Sequence, residues 1–114
     1  MPYLHLQTNA TPFGPEKRAF LEAASEFIAS TLGKNLQYVM ASAEFGRDMY
    51  FGGSDLPTAF VELKVLGLDT SKNNTLTVGL SDLARIHLHV PEDRCFCCFS
   101  DTPNGSWGLG NDIF

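Results

Sequence analysis

The residues of this sequence that could do acid–base chemistry begin at its first two positions, Met1 and Pro2. A small second residue permits removal of the initial methionine, and Pro2 would then carry a terminal secondary amine. A free α-amine titrates at about 7.7–8.0, and burial or a neighbouring cation lowers its pKa, so such an amine can act as a neutral general base. The alternation of apolar and polar side chains from Tyr3 to Thr8 predicts that this amine lies at the head of a β-strand.

The composition indicates one globular domain that spans residues 1–114. Hydrophobic residues make up 44% of the chain and charged residues 18%, which argues against a disordered protein. The net charge is −5 and the sequence contains no cluster of lysine and arginine, so we expect no binding to nucleic acid. We also expect no membrane insertion, because no apolar stretch is long enough to cross a bilayer. The three cysteines are odd in number and crowded together, which favours a cytoplasmic protein over a secreted disulfide framework.

Hydrophobic periodicity predicts two helices and four strands. The first helix begins at Gly14-Pro15, carries a regular apolar stripe and ends at Gly33, a natural left-handed residue after a helix. The second helix begins after possible N-caps at residues 69–71 and ends before Pro91, but it contains several poor helix formers. The predicted strands span residues 3–8, 38–45, 58–66 and 94–99, with a further short strand in the glycine-rich tail.

These elements form two strand–helix–strand units, from Pro2 to Phe45 and from Pro57 to Phe99. Right-handed crossovers place both helices on one face of the sheet, which predicts an α+β fold with a four-stranded mixed sheet. The other face of the sheet is then uncovered, although Phe60 and Leu66 point towards it. In so short a chain, an uncovered and partly apolar sheet face predicts a closed homo-oligomer whose subunits pack sheet against sheet.

A set of short motifs, in order along the whole chain, resembles the macrophage migration inhibitory factor family and the wider tautomerase superfamily. The matching residues are Met1-Pro2, Gln7-Thr8-Asn9, Leu32-Gly33-Lys34, Gln37-Tyr38-Val39, Phe51-Gly52-Gly53-Ser54, Pro57, Leu66-Gly67, Val90-Pro91-Glu92-Asp93-Arg94 and Trp107. The resemblance implies two pseudo-repeated βαβ units and a homotrimer whose sheets enclose the centre, with active sites between neighbouring subunits. It also implies enol–keto tautomerisation of a small aromatic keto or enol acid, phenylpyruvate-like or dopachrome-like, without a cofactor or a metal.

The resemblance assigns roles to five residues of this sequence. Pro2 corresponds to the general base. Lys34 would hold the carboxylate or enolate of the substrate and lower the pKa of the amine. The backbone amide of Leu66 would contact the substrate, and the side chains of Tyr38 and Trp107 would form aromatic walls of the pocket.

Two residues of the last strand depart from the family pattern. Phe96 replaces a tyrosine, and Cys98 replaces an asparagine that reaches the site of a neighbouring subunit. Alternation along the strand puts Phe96 and Cys98 on one face and Cys95 and Cys97 on the other, which is consistent with the first pair facing the pocket. Because hydrogen-bond donors are lost, we expect a tautomerase of weaker activity or different selectivity.

Other chemistries are disfavoured. The Cys-x-x-Cys motif of some relatives is absent, since Thr58 and Val61 occupy those positions, which argues against a thiol oxidoreductase. The three cysteines together with His87 and His89 could suggest a metal site, but alternation sends the cysteines to different faces and no second ligand pair has zinc spacing. Strand cysteines that act as small hydrophobes are the simpler interpretation.

The alternative to an enzyme is a cytokine-like interaction protein. Such a protein would act through the surface of the trimer on a cell-surface receptor, would leave the cell without a signal peptide, and would keep only vestigial catalysis. The loss of donors at positions 96 and 98 suits that alternative. Turnover of phenylpyruvate by the chain without Met1 discriminates between the two functions.

Overall fold

A computed structural model describes residues 1–114. Two helices lie on one face of a four-stranded sheet, and a small two-stranded hairpin follows at the C-terminus. In chain order the elements are β1 Pro2–Thr8, α1 Gly14–Leu32, β2 Met40–Glu44, β3 Ala59–Leu66, α2 Asn73–Leu88, β4 Cys95–Thr102, β5 Gly108–Leu109 and β6 Asp112–Ile113. Neither helix is both long and apolar enough to span a bilayer.

The strand order of the main sheet is β2-β1-β3-β4. β1 runs parallel to β2, β3 runs parallel to β4, and the two central strands β1 and β3 pair antiparallel. Each parallel pair is joined through one helix, so the sheet consists of two βαβ units. The predicted α+β class and mixed sheet are confirmed.

Some predicted boundaries were wrong. The second strand begins at Met40, because residues 36–38 form a 3-10 helix in which the Asn35 side chain accepts a hydrogen bond from the Gln37 amide, 3.1 Å away. β4 extends to Thr102, since it pairs with β3 along its full length. Asp69 caps a 3-10 turn over residues 70–72, and α2 begins only after that turn.

The hydrophobic core lies between the sheet and the two helices. Side chains from every second position of β1 and β3 are buried against it, and so are the apolar faces of α1 and α2. The fully buried side chains include Leu4, Leu6, Phe20, Ile28, Leu63, Leu76 and Leu80. This core fixes β1 and β3 as the rigid centre of the molecule, because burying each such side chain contributes roughly 1.5–3 kcal/mol to the stability of the folded state.

The uncovered face of the sheet is more polar than the sequence suggested. The Tyr3 hydroxyl lies 2.7 Å from the Ser42 hydroxyl, and the His5 Nε2 lies 2.9 Å from a carboxylate oxygen of Glu44. Two large apolar side chains are nevertheless exposed on this face, Phe96 near the start of β4 (55% exposed) and Met40 at the start of β2 (66% exposed).

α1 and α2 meet at Gly79, one of the poor helix formers that weakened the prediction of α2. A Cβ atom at residue 79 would overlap the ring of Phe27, so that ring occupies the space that any larger residue would need. The glycine is therefore required by helix–helix packing, and its unfavourable helix propensity is the cost of that contact.

We predict that Gly79→Ala destabilises the protein by about 1–3 kcal/mol, because displacing the Phe27 ring outweighs the gain in helix propensity. Urea unfolding measures the change. Gly14→Ala is the matched control, since no atom lies within 4 Å of a Cβ at that position. An unfolding free energy of Gly79→Ala equal to or above that of the wild type would contradict this packing argument.

Candidate functional site

A cavity of about 560 Å³ opens where the start of β1 approaches the C-terminal hairpin. Three predicted site residues, Pro2, Tyr38 and Trp107, line it together. The remaining lining residues are Met1, Tyr3, Gln37, Val39, Met40, Ser42, Lys64, Gly108 and Leu109. The cavity thus joins residues that are far apart in the sequence.

The head of β1 is held by its pairing with β3. Pro2 lies opposite Val65 and is fully buried. One residue further along β3, the backbone amide of Leu66 donates a hydrogen bond to the Met1 carbonyl oxygen, at 3.2 Å. The Leu66 amide, which the resemblance predicts to contact the substrate, therefore lies beside Pro2. It already donates a hydrogen bond to the carbonyl group that is bonded to the Pro2 nitrogen.

The electrostatic environment at this end of the chain disfavours a protonated amine. Partial burial lowers the pKa of the Met1 terminal amine, and the positive charge of Lys34 lowers it further. Lys34 reaches this place because Gly33 adopts a left-handed conformation, with φ of 63°, and the Lys34 amide donates to the Ala29 carbonyl, 2.9 Å away.

The cavity suits an anion. Lys64 lines it, and no aspartate or glutamate does. Neither Lys34 nor Lys64 forms an ion pair with a carboxylate, so both positive charges remain uncompensated. A negatively charged ligand would find the Lys64 ammonium group in the cavity lining, although the protein as a whole carries a net charge of −5. Lys34 does not line the cavity itself, but its charge acts on the terminal amine at the cavity.

The walls of the cavity are aromatic and aliphatic. The 3-10 helix before β2 places Tyr38, which is 45% exposed, at one side. The C-terminal hairpin places Trp107 at another side, and the Phe114 amide closes that hairpin by donating to the Trp107 carbonyl at 2.8 Å. Together these walls fit a flat apolar group that carries an anionic end.

Phe96 and Cys98 do not join this cavity within one chain. Phe96 lies opposite Phe60 of β3, and Phe60 pairs with Gln7, whereas Pro2 pairs with Val65. Five residues of extended strand correspond to about 16 Å, so Phe96 lies near the opposite end of the sheet. Its ring packs against Phe51, with centroids 4.7 Å apart. A role for Phe96 and Cys98 at a neighbouring subunit's site stays a prediction.

Sequence reasoning missed Lys64. Lys64 alternates with the buried residues of β3 and so shares the uncovered face with Phe60 and Leu66, but only the antiparallel register with β1, in which Lys64 lies opposite Tyr3, brings it to the cavity. No short motif encodes that register. Gln37, Ser42 and Leu109 were missed for the same reason, since their place depends on how distant segments meet.

Comparisons with known proteins identify the family and the fold. A family model described as macrophage migration inhibitory factor (MIF) matches residues 1–112. The chain is 36% identical to the macrophage migration inhibitory factor homolog of Brugia malayi, over 100% of this chain and 99% of that protein. The solved structure of the homologue from Prochlorococcus marinus superposes with a TM-score of 0.92 at 30% identity and covers 98% of each chain. The Toxoplasma gondii protein superposes with the same TM-score at 29% identity, over 98% of this chain and 99% of that one. Sequence and fold agree over the full length, and the chain belongs to the macrophage migration inhibitory factor family.

Proposed function

We propose that this chain, once Met1 is removed, is an enol–keto tautomerase that uses Pro2 as its general base. Its substrates are small aromatic keto or enol acids, phenylpyruvate-like or dopachrome-like. Membership of the family supports an isomerase-type or cytokine-like role. The observation that carries the enzymatic proposal is the buried Pro2 in a cavity with uncompensated lysines nearby and no carboxylate in its lining.

Removal of Met1 would change the site in two ways at once. While Met1 is attached, the Pro2 nitrogen belongs to a tertiary amide and has no basic lone pair. The Met1 carbonyl also occupies the Leu66 amide, with a hydrogen bond of 3.2 Å. Cleavage creates the amine and leaves the Leu66 N–H available to a substrate oxygen. The same step therefore supplies the base and a hydrogen-bond donor.

The proposed chemistry moves one proton between the α-carbon and the oxygen of the substrate. The neutral amine of Pro2 takes the proton from one of these atoms and returns it to the other. The Leu66 N–H and the charge of Lys34 stabilise the negative charge that develops on oxygen. Burial and Lys34 keep the pKa of the amine low, as they do for the Met1 amine, so that it is neutral at working pH.

The proposal includes a homotrimer in which sheets pack around a common centre. Large apolar side chains exposed on the uncovered face of the sheet and on the C-terminal hairpin support the trimer: Phe96 is 55% exposed, Met40 66% and Ile113 70%. In such a trimer, Phe96 and Cys98 of one chain reach the cavity of a neighbour. Neither side chain supplies the phenol or amide donor of the family pattern, so we expect weaker turnover or altered selectivity.

A second candidate function is a cytokine-like interaction protein that acts outside the cell on a receptor. The apolar side chain of Phe96 and the thiol of Cys98 favour it, because the expected pocket would retain shape and charge but few donors for catalysis. In that case the cavity serves recognition, and turnover is absent.

We predict that Pro2→Gly and Pro2→Ala each reduce kcat/KM for phenylpyruvate by about 10²–10⁴-fold, the usual contribution of a positioned general base. The assay follows the enol–keto conversion by absorbance. Intact mass must show that Met1 is absent from each protein, and thermal unfolding must show that each variant is folded. Pro103→Ala, in an exposed turn, is the matched control and should keep wild-type turnover. An absence of turnover above buffer in wild-type protein without Met1 would refute the enzymatic function. The interaction protein would then be the remaining candidate.

We also predict that Lys64→Gln raises KM about 2–5-fold with little change in kcat, since an exposed charge pair contributes roughly 0.2–1 kcal/mol to binding. Lys72→Gln, an exposed lysine outside the cavity, is the control and should leave KM unchanged. Equal KM values for the two variants would mean that Lys64 does not contact the anionic end of the substrate.

A further inference from the structure

Two hydroxyl groups lie together in the lining of the candidate cavity. The Tyr3 hydroxyl, from the head of β1, lies 2.7 Å from the Ser42 hydroxyl of β2. Both side chains are half-buried on the uncovered face of the sheet, and both line the cavity together with Pro2. Neither hydroxyl takes part in the proton transfer proposed for Pro2, so the pair is available for another task in the same cavity.

A hydroxyl pair of this kind can both donate and accept a further hydrogen bond. Each hydroxyl has one hydrogen and two acceptor lone pairs, and only one of the two hydrogens lies between the oxygens. The second hydrogen and the remaining lone pairs stay available, whichever residue donates within the pair. A hydroxyl group on a ligand is a suitable partner, since it too both donates and accepts. A carboxylate only accepts, and the cavity already offers it the charge of Lys64.

The pair and Lys64 lie on opposite flanks of the cavity. In the sheet order, β1 separates β2, which carries Ser42, from β3, which carries Lys64. The flanks are therefore two strand spacings apart, about 9–10 Å. An aromatic ring with a three-carbon acid side chain spans a comparable length. A ligand whose carboxylate lies at Lys64 thus directs the far end of its ring towards Tyr3 and Ser42.

Neighbouring side chains hold the Tyr3 hydroxyl in place. The Tyr3 ring stacks with the His5 ring, with centroids 6.3 Å apart and planes 9° from parallel. His5 is fixed in turn by Glu44, because a carboxylate oxygen of Glu44 lies 2.9 Å from the His5 Nε2. Neither His5 nor Glu44 lines the cavity, so both act on it through the Tyr3 ring. A group that is already held in one orientation loses little conformational entropy when it binds a ligand.

We propose that Tyr3 and Ser42 determine specificity, by selecting aromatic acids that carry a hydroxyl group at the far end of the ring. This inference rests on the proposed tautomerase and deepens it, since it names which aromatic keto or enol acids the cavity prefers. The two hydroxyls bind the ring hydroxyl of the ligand as a unit. The preference is one of binding and involves no covalent step.

Ligands that cannot react separate this binding from catalysis. The probe 3-phenylpropanoate has the ring and the carboxylate but no keto group, and 3-(4-hydroxyphenyl)propanoate differs from it only by the ring hydroxyl. Trp107 is the only tryptophan of the chain and lines the cavity, so its indole N–H gives a single NMR signal that reports binding. We expect wild-type protein without Met1 to bind the hydroxylated acid about 3–10-fold more tightly, the usual net contribution of one hydrogen bond.

Variants of the pair assign the preference to these two hydroxyls. Tyr3→Phe and Ser42→Ala should each bring the ratio of the two dissociation constants close to one, while the affinity for 3-phenylpropanoate stays near that of the wild type. Ser42→Thr keeps a hydroxyl and should keep the preference. Tyr50→Phe is the matched control, because Tyr50 is 75% exposed and does not line the cavity. Thermal unfolding shows whether each variant is folded, and the ratio in the wild type requires no variant.

Equal affinity of the wild-type protein for the two acids would overturn the proposal, and so would a preference that is unchanged in both Tyr3→Phe and Ser42→Ala. Failure to bind either acid would also overturn it. These results are independent of turnover. A chain that prefers the hydroxylated acid but does not interconvert phenylpyruvate would refute the tautomerase and support this inference. A chain with turnover that binds both acids equally would support the tautomerase and refute this inference.

Discussion

The antiparallel pairing of β1 with β3 is the constraint on which the candidate site depends. It places Pro2 opposite Val65 and brings the Leu66 amide to the Met1 carbonyl. The pairing is maintained by the buried faces of both strands, where Leu4 and Leu63 are almost completely inaccessible. A shift of one residue would send every core side chain of β1 to the uncovered face, so this register is strongly specified. The core thus determines where the first nitrogen of a processed chain lies.

The candidate site also shows why local charge matters more than net charge. The protein is acidic overall, yet the cavity beside Pro2 contains no carboxylate, and both Lys34 and Lys64 lack ion-pair partners. Composition predicts no preference for an anionic ligand. That preference arises only when the C-terminal end of α1 and the end of β3 are brought to the head of β1.

Sequence reasoning predicted the fold well because the main signals were local. The apolar stripe of α1, the left-handed Gly33 and the alternation along β3 each lie within one segment. The prediction of α2 was weaker because Gly79 serves a contact with Phe27 of the other helix. Pro2 was already a candidate from the Met1-Pro2 start, whereas Tyr38 and Trp107 were selected through a family resemblance. Lys64 was not, since its place depends on the register between distant strands.

The proposed tautomerase requires a processed chain that presents Pro2 as a neutral amine at working pH. The most direct test is an NMR titration of the Pro2 nitrogen in protein labelled with ¹⁵N-proline and shown by mass to lack Met1. We expect a pKa below that of an ordinary terminal amine in the wild type, and a higher pKa in Lys34→Gln because a nearby positive charge has been removed. A Pro2 nitrogen that titrates at the ordinary value, or one that does not respond to Lys34→Gln, would contradict this role of Pro2.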